Sequence, residues 1–163
     1  MVMKIQQVIC AAFALMSVVS SIAQGSFQIN GHIDGGAEGI KVRLKYADVP
    51  DSQILCSAVL HNGGFELKGQ VASPRFCTIV FEDPKYGLKF DYKSLNLFVE
   101  NSRITVQACF DSLYTRYSLR WGDLGIRSHI SVKGSASHDL LVRYLDKERE
   151  QGIQLAADRK SVV

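Results

Sequence analysis

From Gln24 to about Val132, apolar residues recur at every second position in short runs, and turn-forming residues separate the runs. Phe27, Ile29 and Ile33 alternate with Gln28, Asn30 and His32, and Gly31 stands on the apolar side. Asp34-Gly35-Gly36-Ala37-Glu38-Gly39 breaks the run, after which Ile40, Val42, Leu44 and Tyr46 alternate with Lys41, Arg43 and Lys45. Such a period of two gives each strand one buried face and one wet, basic face. Asn62-Gly63 predicts the tip of a hairpin, with Ile54–Leu60 leading in and Phe65–Val71 leading out, because these two residues accept the positive φ angles of a tight turn. A strand is expected over Arg75–Glu82, closed by Asp83-Pro84-Lys85-Tyr86-Gly87. A second hairpin is expected from Asn96–Glu100 through Asn101-Ser102 to Arg103–Cys109. Leu113–Trp121 alternates imperfectly and reads as a strand or an ordered loop; Ile130 and Val132 predict a last short strand.

After Gly134 the period lengthens to that of a helix. Ser135 or Ser137 supplies a cap, Asp139 falls in the first turn, and Leu140, Leu141, Tyr144 and Leu145 form the expected apolar stripe. The helix is placed over about Ser137–Ala157, with Asp146–Glu150 as a solvated face. The fold class expected is therefore mainly β: an antiparallel β-sandwich over 24–134 followed by a C-terminal α-helix in 135–157.

The N-terminus has another character. Met1–Gln7 carries the single charge Lys4, Val8–Val19 is unbroken by any charge, and Ser21-Ile22-Ala23 offers small residues at a cleavage site. Residues 1–23 read as a signal peptide, and the apolar run is too short for a membrane span. Export to the periplasm or cell envelope is the expected location, with no stable membrane span after cleavage.

Composition adds limits rather than a function. The 163 residues are 47% apolar and 21% charged, which fits one globular domain and excludes a disordered chain. Nineteen basic against sixteen acidic residues, without a basic block, give no nucleic-acid footprint. Once the leader is removed the cysteines are Cys56, Cys77 and Cys109, each inside an apolar run and none in a C-x-x-C pair. They read as buried structural thiols, with one disulfide plus a free thiol as the alternative.

Catalytic constellations are hard to assemble from what remains. His32, His61, His129 and His138 lack ligand spacing and fall at positions expected to be exposed; Glu82, Asp83, Asp91, Asp111 and Asp123 show no pairing. The glycines at 35–39 precede a strand rather than a helix, so a turn accounts for them better than a phosphate loop. No catalytic residue, cofactor or metal is assigned. Tyr86, Phe90, Tyr92 and Trp121 form a candidate ligand surface for a glycan or peptide, with packing at the sandwich rim as the plainer account.

The series Phe27-x-Ile29-x-Gly31-x-Ile33, Val42-x-Leu44-x-Tyr46 and Ser57-x-Val59-x-x-Asn62-Gly63-x-Phe65-x-x-x-Gly69-x-Val71-x-x-Pro74 resembles the domain of unknown function DUF4369. Leu97-Phe98-Val99-Glu100-Asn101, Ile104-Thr105-Val106 and Val132-x-Gly134-Ser135 extend the likeness over nearly the whole mature chain. Cys56 departs from the pattern, where an acidic residue often precedes the Ser-x-Val strand. The resemblance implies a non-catalytic accessory domain that precedes a thioredoxin-like domain in exported Bacteroidetes thiol:disulfide oxidoreductases similar to the TlpA/ResA group. It implies that the C-x-x-C lies outside this chain, that 135–157 is a linker helix, and that the partners are other proteins, the downstream thioredoxin-like domain or a second copy in a homodimer. Asp158-Arg159-Lys160-Ser161-Val162-Val163 resembles a translated sequencing adapter, so 158–163 is expected to be foreign and the reading frame cut short, the alternative being a natural short tail. A free-standing β module that binds a glycan or peptide is the competing expectation.

Overall fold

A computed structural model describes residues 25–48, 53–82, 92–115 and 130–161. The expected leader, the turn at 83–87, His129 and most of Leu113–Trp121 lie outside the described residues. Nine strands and one helix follow in order: β1 (Phe27–Asp34), β2 (Lys41–Tyr46), β3 (Ile54–Val59), β4 (Gly64–Gly69), β5 (Arg75–Glu82), β6 (Tyr92–Val99), β7 (Arg103–Cys109), β8 (Tyr114–Thr115), β9 (Ser131–Lys133) and α1 (Ala136–Ser161). A single 3-10 turn, Phe110–Ser112, lies between β7 and β8.

The strands form two sheets. One has the order β4-β1-β7-β9 and the other β3-β2-β5-β6-β8. Burial follows the alternation read from the sequence: Phe27, Ile29 and Ile33 on β1, Val42 and Leu44 on β2, and Ile104, Val106 and Ala108 on β7 all turn into the space between the sheets. Ile79, Phe81, Leu95 and Leu97 meet them from the opposite sheet, and the Phe65 and Phe81 rings contact edge-on at 5.8 Å. Gly31 is the one β1 position on this face without a side chain, and its place is taken by the Phe65 ring from the paired strand; a Cβ there would overlap that ring. Pairing is antiparallel except between β1 and β7, which run parallel from Gln28 opposite Arg103 to Asp34 opposite Cys109.

Both expected hairpins prove to be corners between sheets. Asn62 and Gly63 do adopt positive φ angles, 48° and 75°, and His61 bridges Gly64. Beyond that single bridge the strands part, because β3 stays bonded to β2 through Leu60, whose N–H donates to the Ile40 carbonyl at 2.8 Å, while β4 pairs with β1. Leu60 and Phe65, which flank the turn, both fill the space between the sheets, and this burial requires the strands to separate. Asn101-Ser102 likewise carries the chain from β6 in the five-stranded sheet to β7 in the four-stranded one.

The helix runs to Ser161, four residues past its expected end. Its apolar stripe is also rotated from the expectation. His138 is buried and Leu141, Val142 and Leu145 are half-buried, whereas Leu140 and Tyr144 are 64% and 58% exposed. The first turn is held against the sandwich by its caps, so His138 turns inward, where its ring faces the Phe98 N–H, and Leu140 and Tyr144 face water.

Candidate functional site at the helix junction

A cluster of polar contacts surrounds the start of α1. The chain arrives from β9 through Gly134, whose φ of 88° suits glycine, and whose missing Cβ would otherwise overlap the Arg103 carbonyl. Ser135 is the cap: its buried hydroxyl accepts the His138 N–H at 3.2 Å, and its carbonyl accepts the Asp139 N–H at 3.0 Å. Glu100, in the corner after β6, supplies a second cap across the fold. Its carboxylate accepts the Ala136 N–H at 2.6 Å and the Ser137 hydroxyl at 2.7 Å, a negative charge placed at the positive end of the helix dipole.

The neighbouring residues of that corner bind other segments. Asn101 accepts the Val71 N–H at 3.0 Å and donates to the Val71 carbonyl at 2.7 Å, and the Ser102 hydroxyl donates to the Gly134 carbonyl at 2.7 Å. Three consecutive side chains thus join the end of β6, the segment after β4, and the entry to α1. His138 completes the junction from below: its Nδ1 faces the Phe98 N–H at 3.4 Å, and burial pushes its pKa down despite the pull of Asp139. Its expected exposed position is therefore corrected. Capping turns the first helical turn into the sandwich, and the ring goes with it.

Beside the junction, β9 and α1 enclose an open groove of about 760 Å³ lined by Ile130, Val132, Val142, Leu145, Lys133 and Arg149. Its charges are partly spent within the helix, since Arg149 pairs with Asp146 at 3.2 Å and Arg143 donates to the Asp139 carbonyl at 3.3 Å. From Asp146 to Ile153 every side chain is exposed.

The remaining candidates are scattered. Cys77 is buried and its thiol pushed up to about 12 by desolvation; Cys56 is half-buried and raised for the same reason, although the Lys68 amide across the sheets points at its sulfur. Cys109 is exposed, which corrects the expectation of three buried thiols: it ends β7 on the face opposite Ala108 and points away from the core. All three are unpaired. Glu82, read from sequence as unpaired, is buried against Arg43 at 3.1 Å; the partner lies on the adjacent strand, and sequence spacing could not reveal it. At the far end of the molecule His32 pairs with Asp34 at 3.1 Å, and His61 with Glu38, whose other oxygen accepts the Asn62 N–H at 2.9 Å. The Glu38 contacts latch the loop after β1 to the Asn62-Gly63 corner, while the His32–Asp34 pair lies within β1. Among the described residues, no three His, Cys, Asp or Glu side chains converge to hold a metal ion. Tyr86, Phe90 and Trp121 lie outside the described residues; Tyr92 begins β6 opposite Glu82, and its side chain is not described.

Some of the motif residues quoted from the sequence, Val71, Glu100, Asn101, Gly134 and Ser135, thus meet at this junction, and residues 27–141 match the family model of DUF4369, a domain of unknown function. The chain belongs to the DUF4369 family. No curated protein matches it. Among solved structures, 5-hydroxyisourate hydrolase from Klebsiella pneumoniae is similar over 59% of this chain and 99% of its own, at 14% identity and a TM-score of 0.33. A likeness that loose bears on no residue of this DUF4369 domain. No helix among the described residues is long and apolar enough to cross a membrane.

Proposed function

We propose that this DUF4369 domain is an exported, non-catalytic accessory module of a thioredoxin-like thiol:disulfide oxidoreductase, and that its task is to hold a helix, and with it the catalytic domain, in a fixed attitude. One observation carries the reading: the family-motif residues Glu100, Gly134 and Ser135 are spent on capping and admitting α1, and Asn101 on bracing that corner against Val71, rather than on lining a reactive cavity. The thiols support it as well. A nucleophilic cysteine acts as thiolate, and burial keeps Cys77 and Cys56 protonated near neutral pH. The catalytic C-x-x-C of the parent enzyme then belongs to a domain outside these 163 residues.

The deciding experiment has two arms. The genomic locus is read past codon 157, and reduction of insulin disulfides is measured for this chain and for the whole gene product. An in-frame C-x-x-C domain, with activity confined to the longer product, is the expected result. A stop codon after Val163 in the genome, or disulfide reduction by this chain alone, overturns the proposal.

A further inference from the structure

The groove beside the junction is walled by two different elements. On one side Ile130, Ser131, Val132 and Lys133 line it in succession, and because alternate side chains of a strand leave by opposite faces, this succession puts the edge of β9 there. On the other side His138, Val142, Leu145 and Arg149, three or four residues apart, present one face of α1. Ile130, Val132, Val142 and Leu145 are half-buried and make both walls apolar. Among the described residues β9 pairs only with β7, so the edge that looks into the groove is open.

Both walls hold backbone or side-chain groups ready to bond. The Gln28 N–H donates to the Ser102 carbonyl at 3.0 Å, so Ser102, Ile104 and Val106 turn their N–H and C=O groups toward β1, and Thr105 and Gln107 turn theirs toward β9. Thr105 stands opposite Lys133 and Gln107 opposite Ser131; Val132, between them, therefore aims its own N–H and C=O away from β7 and into the groove. On the helix side, Nδ1 of His138 faces the Phe98 N–H, which leaves the proton of the neutral ring on Nε2. No described residue accepts that proton, although the side chain is only 4% exposed. We infer that this groove docks an extended acidic peptide, which adds a strand to β9 through Val132, offers a carbonyl to His138 and lays apolar side chains against α1.

Charge on the rim selects the occupant. Arg149 and Asp146 neutralise each other at 3.2 Å. Lys133 has no partner among the described residues, and Arg143 gives only its Nε, to a backbone carbonyl, so two cations face the single remaining carboxylate of the groove, that of Asp139. An acidic segment relieves that excess and a basic one adds to it. Val132 alone supplies the ladder bonds, so the interface belongs to the weak, transient class.

Titration of the nitrogen-15-labelled chain with an acetylated Glu-Val repeat peptide, followed by amide NMR, tests this. The expected result is saturable shifts confined to 130–133 and the groove face of α1, with the Val132 amide gaining exchange protection, and no such response to the Lys-Val counterpart. The double variant Lys133→Glu, Arg143→Glu changes only rim charges and should reverse the preference between the two peptides. Absence of saturable shifts at millimolar Glu-Val peptide overturns the inference, as do equal responses to both peptides, shifts centred elsewhere on the sandwich, or a double variant that keeps the original preference. A Val132 amide already protected in the dilute free chain overturns it too, because the chain's own residues then fill the groove; protection that grows with chain concentration alone assigns the groove to a second copy instead. The readouts involve no thiol exchange, so this inference and the accessory-domain proposal fail separately.

Discussion

The sandwich and the helix use the same apolar residue types and treat them oppositely. Between the sheets, leucines, isoleucines and phenylalanines are removed from water altogether; on α1, Leu140, Tyr144 and Ile153 stay exposed, and the helix is held mainly by polar caps at its first turn. Burial of apolar area stabilises the first region, and a handful of directed hydrogen bonds positions the second. A domain built this way can keep its core intact when its helix anchor is lost, since the two depend on different residues.

Replacing Leu97 with Ala breaks the comparison from the sandwich side. A fully buried leucine leaves a cavity, and urea denaturation should show about 2–5 kcal/mol of lost stability with the transition still cooperative. Glu100→Ala acts on the other side. It removes both cross-fold caps and should cost about 1–2 kcal/mol, with hydrogen exchange accelerating in the first turns of α1 and unchanged at the β1 and β7 amides. Equal acceleration in both regions would show that the helix and the sandwich form one cooperative unit.

Acidity offers a subtler probe. Burial depresses the His138 pKa below its ordinary 6.5, so the unfolded chain takes up a proton before the folded one does. The stability associated with a neutral His138 is present above about pH 6.5 and is lost as pH falls toward the depressed value. His138→Gln should flatten that part of a stability-against-pH curve. The smallest effect is expected at Tyr144→Ser, within about 0.5 kcal/mol, because the ring is already largely in water. A larger loss would mean that something covers this face in solution.

Much of the sandwich was legible because strand periodicity and turn chemistry are local. The limits of β5 and β7 and the positive φ angles at Asn62-Gly63 could be read from adjacent residues. Which sheet each strand joins could not. The same Asn-Gly turn serves a hairpin or a corner, and the choice depends on whether Leu60 and Phe65 pair on one face or fill the space between two. The junction was half legible: Ser135 could be expected as a cap, but Glu100 acts across 36 positions and no periodicity reports it. His138 was misplaced for a related reason, since its burial follows from a helix rotation set by contacts with another element.

The parallel pairing of β1 with β7 has a consequence for how the chain is made. β1 lies in the middle of its sheet, flanked by β4, which follows soon after it, and by β7, which emerges only after five other strands. During synthesis from the N-terminus, the half of the domain made first therefore holds an open seam along Gln28–Asp34 that nothing can close until Arg103–Cys109 leaves the ribosome. Interruption at Ser102 would leave that seam permanently bare, and such a product should be cleared by proteases or aggregate, whereas one extending through Lys133 carries every strand the two sheets require.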